Sequence, residues 1–436
     1  MTVSAIDATS ARSSGRTTLV LAGLGIGVLA LHVIDDSFLQ PQPGTSAGDH
    51  LAGGLVPLAL ICVASAAYTR VSAGVRAALA LVFGLLALII GTAEAGYYTL
   101  KVGPAGDDYT GLLAIPAGLL LLGLGAATLW KTRKLHDSRR RRYLRRSLIA
   151  AATLVVAAEV MFPIALGYGT THILRPVVPA ANLGTAYEDV TFTTSDGLEL
   201  SGWYVPSRNG AAVIAFPGRN GPQKPARFLA RHGYGVLLFD RRGESESDGD
   251  GNLFGWGGDK DILAAIEFLK SRPDVDPGRI AGIGLSVGGE LMLQAAAETD
   301  DLAAVISDGA GTRSFAEELE ELHGPSKWLA LPMLAVKTAS VAVFSNTAPP
   351  PKLSDLVPRI HQPLLLIWAT DGGAETMNPT YFHLAQGPKS IWGIPEIGHM
   401  GGITARPKEY ERRVIAFLDR ALPSDETTQA TSSRSS

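Results

Sequence analysis

Long uninterrupted apolar runs separated by short polar connections occupy the first ~170 residues of this 436-residue chain. The runs are Thr18–Ile34, Leu51–Tyr68, Val75–Ala95, Leu112–Trp130 and Leu148–Leu166. Each is close to the roughly 20 residues that an α-helix needs to cross a bilayer, and each is apolar all round rather than along one stripe. The pattern therefore predicts an all-α transmembrane bundle of about five helices over residues 1–173.

The charges between these runs predict the orientation of the helices. Basic connections alternate with acidic ones along the chain, beginning with Arg12 and Arg16 before the first run. Because Lys and Arg are retained on the cytoplasmic side, the N-terminus is expected in the cytoplasm. Five crossings then place everything after the fifth run outside the cell. The basic cluster at 139–146 lies between two runs, and with a net charge of −3 we expect no nucleic-acid partner.

After a linker at residues 174–187, the pattern changes to short strands and amphipathic helices. Alternating residues predict a hairpin of Val190–Thr193 and Leu198–Val205 around Ser195-Asp196-Gly197. Further strands are predicted at Ala211–Phe216, Val236–Asp240, Ala303–Ser307, Leu364–Trp368 and Ile391–Ile394, and in the apolar run after Arg279 that ends in Gly284-Leu285-Ser286-Val287-Gly288. Helices are predicted at Ala226–His232, Ile262–Lys270, Leu291–Ala297 and Tyr410–Leu422. This alternation predicts a doubly wound, mostly parallel α/β sheet at residues 188–422. The polar tail at 423–436 is expected to be disordered.

One segment, residues 312–362, interrupts the alternation between two strands that a much shorter connection could join. Segments of this length in a compact domain are usually functional, and its position at the strand ends predicts a cap over the active site. The apolar stretch Trp328–Phe344 leaves open a further membrane-associated segment. Pro332 and Lys337 count against a full span.

The candidate nucleophile lies in Gly284-Leu285-Ser286-Val287-Gly288, which closes a predicted strand and opens a predicted helix. A G-x-S-x-G motif in this context forms a sharp turn that exposes the serine hydroxyl. Glycines are expected on both sides of the serine because a Cβ there would collide with the neighbouring backbone. We therefore predict Ser286 as the nucleophile and the Val287 N–H, at the helix start, as an oxyanion donor.

A serine hydroxyl becomes a useful nucleophile only when a base takes its proton. His399 is the predicted base because it follows the last strand in a glycine-rich loop. A carboxylate must hold the imidazole in the correct tautomer. Asp371 and Glu375, after Leu364–Trp368, and Asp308, at a strand end before the cap, are all candidates.

A second oxyanion donor is expected from the glycine-rich loop Pro217-Gly218-Arg219-Asn220-Gly221, and the Arg219 N–H is the candidate. The guanidinium of Arg219 could also meet an anionic substrate or simply be solvated. The single cysteine, Cys62, excludes a disulfide framework and a thiolate metal site. We expect no metal and no organic cofactor, and residues 1–15 lack the pattern of a cleavable signal.

The second half of the chain resembles the α/β-hydrolase superfamily, in the branch of dienelactone hydrolases and prolyl-oligopeptidase-type esterases. The resemblance rests on the serine turn, on Gly398-His399, and on residues 239–247, which are similar to the family's D-x-R-G-x-G-x-S segment. It implies a Ser-His-acid triad over about residues 188–422. The family's His-Gly at the oxyanion loop is Pro217-Gly218 here. The family's acid is an Asp four residues before a proline, and here Glu375 stands at that spacing before Pro379. The spacing favours Glu375 over Asp371, although the residue type departs from the family.

These observations together predict a membrane-anchored serine hydrolase that cleaves a carboxylic ester through an acyl-enzyme on the outer side of the cell membrane. The expected partners are the bilayer and a small acyl ester or lipid substrate. A serine peptidase or thioesterase of the same fold is the alternative enzyme. A membrane sensor or transport component with an inactive hydrolase domain is the alternative of another class, and the presence of both Ser286 and His399 argues against it.

Overall fold

The computed structural model describes residues 2–104, 106–131, 139–172, 175–371, 373 and 375–423. The chain forms two compact units. The first is Met1–Phe162 together with Val343–Asn346, and the second is Pro163–Ala342 together with Thr347–Ser436. The predicted disorder of the tail concerns residues that lie almost entirely outside the described ones.

The first part of the chain is helical. Its helices are α1 (Thr2–Ile34), α2 (Leu51–Tyr68), α3 (Ala73–Ile89), α4 (Gly96–Val102), α5 (Asp108–Lys131), α6 (Arg139–Val156) and α7 (Phe162–Thr171). Three short π-helical segments, Asp35–Leu39, Ile90–Ala95 and Ala157–Met161, extend α1, join α3 to α4 and join α6 to α7. The all-α character predicted for residues 1–173 is thus observed in the described residues.

Five helices among the described residues are long and apolar enough to cross a membrane: Arg16–Leu39, Leu51–Tyr68, Ala73–Thr92, Asp108–Lys131 and Pro325–Phe344. The first four coincide with the first four predicted spans. The fifth predicted span, at residues 148–166, runs through α6, a π segment and α7, and several of its side chains lie outside the described residues. That these helices cross a bilayer stays a prediction.

Glycines hold α5 close to its neighbours in the first unit. A Cβ on Gly118 would lie 2.7 Å from the Gly84 carbonyl oxygen of α3. One on Gly125 would lie 2.7 Å from Leu81 Cγ, and one on Gly111 would lie 2.6 Å from Ala95 Cβ. These glycines recur every seventh residue and so lie on one side of α5. Small residues that allow close backbone approach are typical of packed membrane helices.

An eight-stranded sheet forms the centre of the second unit. The strands are β1 (Glu188–Thr193), β2 (Glu199–Val205), β3 (Ala212–Phe216), β4 (Gly235–Phe239), β5 (Ile280–Leu285), β6 (Ala304–Asp308), β7 (Leu364–Ala369) and β8 (Lys389–Ile394). Their order is β1-β2-β4-β3-β5-β6-β7-β8. Pairing is antiparallel for β1–β2 and β2–β4 and parallel for the rest. The predicted hairpin and the mostly parallel sheet are confirmed.

The helices of this unit are α8 (Gln223–Arg231), α9 (Asp259–Lys270), α10 (Val287–Glu298), α11 (Phe315–Glu321), α12 (Pro325–Phe344), α13 (Leu353–Leu356), α14 (Asn378–Leu384), α15 (Gly402–Ala405) and α16 (Pro407–Ala421), with a 3-10 turn at Val357–Arg359. Two hydrophobic cores cover the two faces of the sheet. One packs α9, α10, α13 and α14 against residues such as Ile214 and Leu237, and the other packs α8 and α16 against their sheet neighbours Val213 and Leu238. The sheet is therefore doubly wound, and α14 is a helix that the sequence pattern did not predict.

The segment predicted as a cap is helical and joins two neighbouring strands. It contains α11, α12 and α13, and it leaves the sheet at the end of β6 and returns at the start of β7. Ser314 and Glu317 form a capping box at the start of α11, which explains why that helix begins there.

Candidate active site

Ser286 lies at the sharp turn between β5 and α10, as the motif predicts. Its backbone has φ 53° and ψ −124°, a left-handed conformation that side chains rarely adopt. The flanking glycines allow this turn. A Cβ on Gly284 would lie 2.1 Å from the Gly288 carbonyl oxygen, and one on Gly288 would lie 2.7 Å from Pro217 Cδ. Gly288 thus permits close contact between the serine turn and the loop after β3.

The structure brings Ser286, His399 and Glu375 together in one chain of hydrogen bonds. His399 Nε2 is 2.8 Å from the Ser286 hydroxyl oxygen, and His399 Nδ1 is 2.6 Å from Glu375 Oε1. Nδ1 therefore donates to the carboxylate, which leaves Nε2 free to accept the serine proton. This is the relation of nucleophile, base and orienting acid that acyl-transfer enzymes use.

Glu375 is fully buried and is held from two further directions. Its Oε2 accepts the Ala369 N–H at 2.6 Å, and its Oε1 accepts the Met400 N–H at 3.1 Å. The hydrogen bond to Glu375 and its negative charge raise the pKa of His399 above the usual value, although partial burial opposes the shift. The carboxylate thus stabilises the imidazolium that proton transfer from serine would form.

The other two candidate acids have different partners. Asp371 Oδ2 accepts the Glu396 N–H at 2.6 Å, so this carboxylate braces the loop that leads to His399. Asp308 is buried and accepts the Tyr410 hydroxyl at 2.8 Å, and burial raises its pKa to about 7. Neither has a hydrogen bond to His399 in the described structure. The prediction of Asp371 as the triad acid and the prediction of Asp308 as the triad acid are therefore both wrong.

Arg219 does not have the role that the sequence predicted for it. Its N–H donates to Asp240 Oδ1 at 2.8 Å, and its Nε donates to Asp240 Oδ2 at 2.7 Å. The guanidinium is buried, contacts Glu246 at 2.9 Å and stacks on Trp203. Because Asp240 engages both the amide and the side chain, Arg219 offers neither an oxyanion donor nor an exposed cation for an anionic substrate. Its role is to fix the loop after β3 to the end of β4.

Two backbone N–H groups, that of Val287 after the serine and that of Asn220 in the loop after β3, have no acceptor among the described residues. The Val287 N–H is at the first position of α10, where helix N–H groups have no partner within the helix. The Asn220 N–H belongs to the exposed end of the loop after β3, one residue beyond Arg219. Asn220 therefore replaces Arg219 as the candidate second donor, since Gly288 brings its loop close to the serine turn.

A cavity that the sequence analysis missed lies one helical turn from the nucleophile. Its lining includes Glu290 of α10, Arg313, and Lys337 of α12 together with aromatic side chains. Glu290 accepts the Gly311 N–H at 3.1 Å, and burial raises its pKa to about 7. Arg313 is 4% exposed and donates to the carbonyl of Gly255, which lies between Phe254 and Trp256 of the cavity lining. In the sequence, only the position of Glu290 four residues after Ser286 indicates that its side chain lies near the nucleophile.

The segment similar to D-x-R-G-x-G-x-S supports the site and does not enter it. Its Asp240 holds Arg219, and its Arg242 pairs with buried Asp261 and with Asp196. Gly243 has φ 69°, and a Cβ there would lie 2.0 Å from the Gly251 N. The side chains that the structure describes contain no group of three or more His, Cys, Asp or Glu residues that could hold a metal ion.

Comparisons with known proteins cover mainly the second half of the chain. A family model described as X-Pro dipeptidyl-peptidase (S15 family) matches residues 148–357, which contain Ser286 but end before Glu375 and His399. The uncharacterized protein Rv2307c of Mycobacterium tuberculosis is 30% identical over 236 residues, which are 51% of this chain and 76% of that protein.

Two further similarities concern proteins whose names state an activity. Polyketide transferase grgF of Penicillium sp is 38% identical over 127 residues, which are 27% of this chain and 43% of that protein. The solved structure of the Pyrococcus furiosus esterase Pf2001 aligns with a TM-score of 0.45 at 23% identity, over 57% of this chain and 100% of that chain.

Proposed function

This chain belongs to the same family as the mycobacterial protein Rv2307c, and we propose that it is a serine hydrolase that cleaves carboxylic esters. The observation that carries the proposal is the hydrogen-bonded chain from Ser286 through His399 to Glu375, with Ser286 at the N-terminus of α10. In this α/β-hydrolase fold, Glu375 lies in the loop after β7 and His399 in the loop after β8.

The proposed reaction follows from the position of each proton. His399 Nε2 takes the Ser286 proton as the serine oxygen attacks the ester carbonyl, and the resulting oxyanion is stabilised by backbone N–H donors. Collapse of the tetrahedral intermediate breaks the bond to the alkoxide leaving group, which takes the proton from His399. Water then attacks the acyl-enzyme by the same route and releases the acid.

Backbone donors supply the electrostatic part of this mechanism. We assign the oxyanion to the Val287 and Asn220 N–H groups. Val287 follows Ser286, Gly288 lies against the loop that carries Asn220, and neither N–H donates to another described residue. The positive end of the α10 dipole adds to the same effect. Loss of one such donor typically costs about 10²- to 10³-fold in kcat.

The substrate class is proposed from the surroundings of the serine. The nearby cavity has aromatic walls formed by Phe254, Trp256 and Phe315, and the first part of the chain carries apolar helices long enough to cross a membrane. We therefore assign the enzyme to the cell membrane, with the catalytic unit outside and an acyl ester or lipid as substrate. The acyl acceptor is water in this proposal; a bound alcohol would make the same site a transferase.

A peptidase is the second candidate because the S15 family model matches residues around the nucleophile. The same triad would attack an amide, with His399 giving its proton to the leaving amine. The two candidates differ in the leaving group that the site must protonate. They can be separated by substrates that share a chromogenic readout.

The experiment compares p-nitrophenyl esters of increasing acyl length with Xaa-Pro p-nitroanilides, using the full chain in detergent or nanodiscs. We expect ester turnover that Ser286→Ala abolishes and that rises with acyl length. The Ser286→Ala protein should keep its melting temperature, because the Ser286 Oγ bonds only to His399 among the described residues. Selective anilide turnover would favour the peptidase, and retained ester turnover by Ser286→Ala would exclude this serine mechanism.

A further inference from the structure

We propose that α12 lies in the outer surface of the bilayer, with one face against lipid and the other lining the cavity beside the nucleophile. The inference rests on the proposed membrane location of the chain and adds a second contact with the membrane, made by the catalytic unit itself. It concerns residues 325–344, within the segment predicted as a cap.

The exposed face of α12 is apolar from Trp328 to the end of the helix. From Trp328 onward, every exposed residue of the helix is apolar, and Trp328 and Leu329 are 75% and 71% exposed. Spacings of four, three and four residues bring Trp328, Pro332, Ala335 and Ala339 to one face. An exposed apolar stripe of this length marks an interaction surface.

From Trp328 onward, the polar residues of the same helix are turned inward. Lys337 pairs with Glu318 of α11 and lies over the Phe254 ring, and Lys337 and Thr338 line the cavity. Ser340 is buried. A surface helix in water has the opposite arrangement, with polar residues outside. The distribution on α12 is therefore the one expected when the outer face meets hydrocarbon.

The topology of the sheet prevents α12 from crossing the membrane, although its length and composition would allow it. The helix lies between β6 and β7, which pair in parallel from Val305–Leu364 to Asp308–Ile367. One crossing between them would separate two hydrogen-bonded strands by a bilayer. The other helices of the connection, α11 and α13, have seven and four residues and are too short to cross back. An apolar helix that cannot span can still lie in the interface.

A second contact places α12 beside the end of the fifth apolar stretch. Gly167 of α7 packs against α12 so closely that a Cβ there would lie 2.5 Å from Ser340 Cβ and 3.1 Å from the Val341 N. Helix α7 continues the predicted span at residues 148–166, so its end marks the level at which the chain leaves the bilayer. This contact holds α12 near the membrane surface.

The lipid surface is the occupant that these features fit. Trp328 is near the N-terminal end of the helix beside Lys327, and tryptophan and lysine are typical of the headgroup region. Helices of this kind bury their apolar face about 5–10 Å into the boundary between headgroups and acyl chains. A lipid ester in the outer leaflet would then meet the helix whose inner face lines the cavity.

A spin-label experiment on the full chain in nanodiscs tests the depth of α12. In a Cys62→Ser background, a nitroxide is attached to a cysteine at one of three positions. These are Trp328→Cys, Leu60→Cys at an exposed side chain of α2, and Arg412→Cys at an exposed side chain of α16. Oxygen partitions into lipid and a nickel chelate into water. We expect the oxygen accessibility at 328 to exceed that at 412 and to stay below that at 60, which lies in the middle of α2, and the label at 412 to be the most accessible to nickel. If the label at 60 is exposed to lipid but the label at 328 is as accessible to nickel as the label at 412, the inference about α12 is wrong and the membrane proposal stands. If the label at 60 is itself accessible to nickel, the membrane proposal is wrong.

A kinetic comparison tests what the contact does. The double variant Trp328→Ala, Leu329→Ala is assayed on an ester dispersed in vesicles and on soluble p-nitrophenyl acetate, with Tyr187→Ala as an exposed aromatic control in the same unit. We expect the KM for the vesicle ester to rise about tenfold in the double variant, with acetate turnover and the control unchanged. Equal effects on both substrates, or no effect on either, would contradict a lipid-facing role for α12.

Discussion

Glu375 and Asp371 lie in the same loop but hold different groups, so their removal has different consequences. Glu375 accepts a hydrogen bond from Nδ1 of His399, whereas Asp371 accepts one from the backbone N–H of Glu396 in the next loop. We expect Glu375→Gln to lower kcat by about 10⁴-fold, because an amide selects the wrong imidazole tautomer. We expect Asp371→Asn to leave kcat within about tenfold. Ester turnover and melting temperature of both variants provide the measurement, and the reverse pattern would transfer the role to Asp371.

Asp308 makes stability depend on pH in a predictable direction. Burial raises its pKa to about 7, so the folded protein keeps a proton that the unfolded chain releases above about pH 4. Stability from this group is therefore lost as the pH rises from about 4 to about 7. Asp308→Asn cannot ionise and keeps an acceptor for the Tyr410 hydroxyl.

The measurement is the denaturation midpoint of wild type and Asp308→Asn at several pH values in this window. We expect a shallower fall with pH in the variant, by up to about 1.4 kcal/mol per pH unit for one proton. Glu290, whose pKa is also raised to about 7 by burial, acts in the same direction in both proteins. Parallel curves would show that Asp308 ionises normally in the folded state.

At the scale of elements, the junction of β5, α10 and the loop after β3 determines where the oxyanion donors lie. Gly288→Ala would place a Cβ 2.8 Å from the Phe216 carbonyl oxygen, so backbone must move. We expect a drop in kcat of at least tenfold and a destabilisation of about 1–3 kcal/mol. Gly398→Ala is the matched control, because nothing lies within 4 Å of its added Cβ although it neighbours the catalytic histidine. Equal losses of kcat and stability in both variants would contradict a special role of this junction in placing the oxyanion donors.

The strands and the serine turn could be predicted because their signals are local. Apolar runs bounded by turn residues predicted the eight strands to within a few residues. The position of His399 in the loop after the last strand predicted it as the base. The role of Arg219 could not be predicted, since it depends on Asp240 at the end of another strand. The cavity with Glu290 and Arg313 depends on four separate segments for the same reason. The inward lysine of α12 likewise needs α11 to explain it.

At the scale of the whole molecule, the apolar helices precede a catalytic unit in one chain. Since α12 connects two paired strands, it adds no crossing, and the predicted number of spans stays odd. We expect a periplasmic-type reporter such as alkaline phosphatase to be active when fused after Leu422 and inactive when fused at Arg140. A reporter that needs the cytoplasm should show the opposite pattern. A catalytic unit protected from added protease in intact cells would contradict this orientation.

The central claim is that Ser286 is an activated nucleophile, and covalent labelling tests it most directly. The full chain is treated with a fluorophosphonate probe, digested, and the modified peptide identified by mass spectrometry. The account predicts one labelled residue, Ser286. It also predicts that labelling becomes faster as the pH rises through the pKa of His399, which lies above the usual value, and that Glu375→Gln slows labelling at every pH. Absence of labelling in a folded protein, or labelling of another serine, would contradict the account.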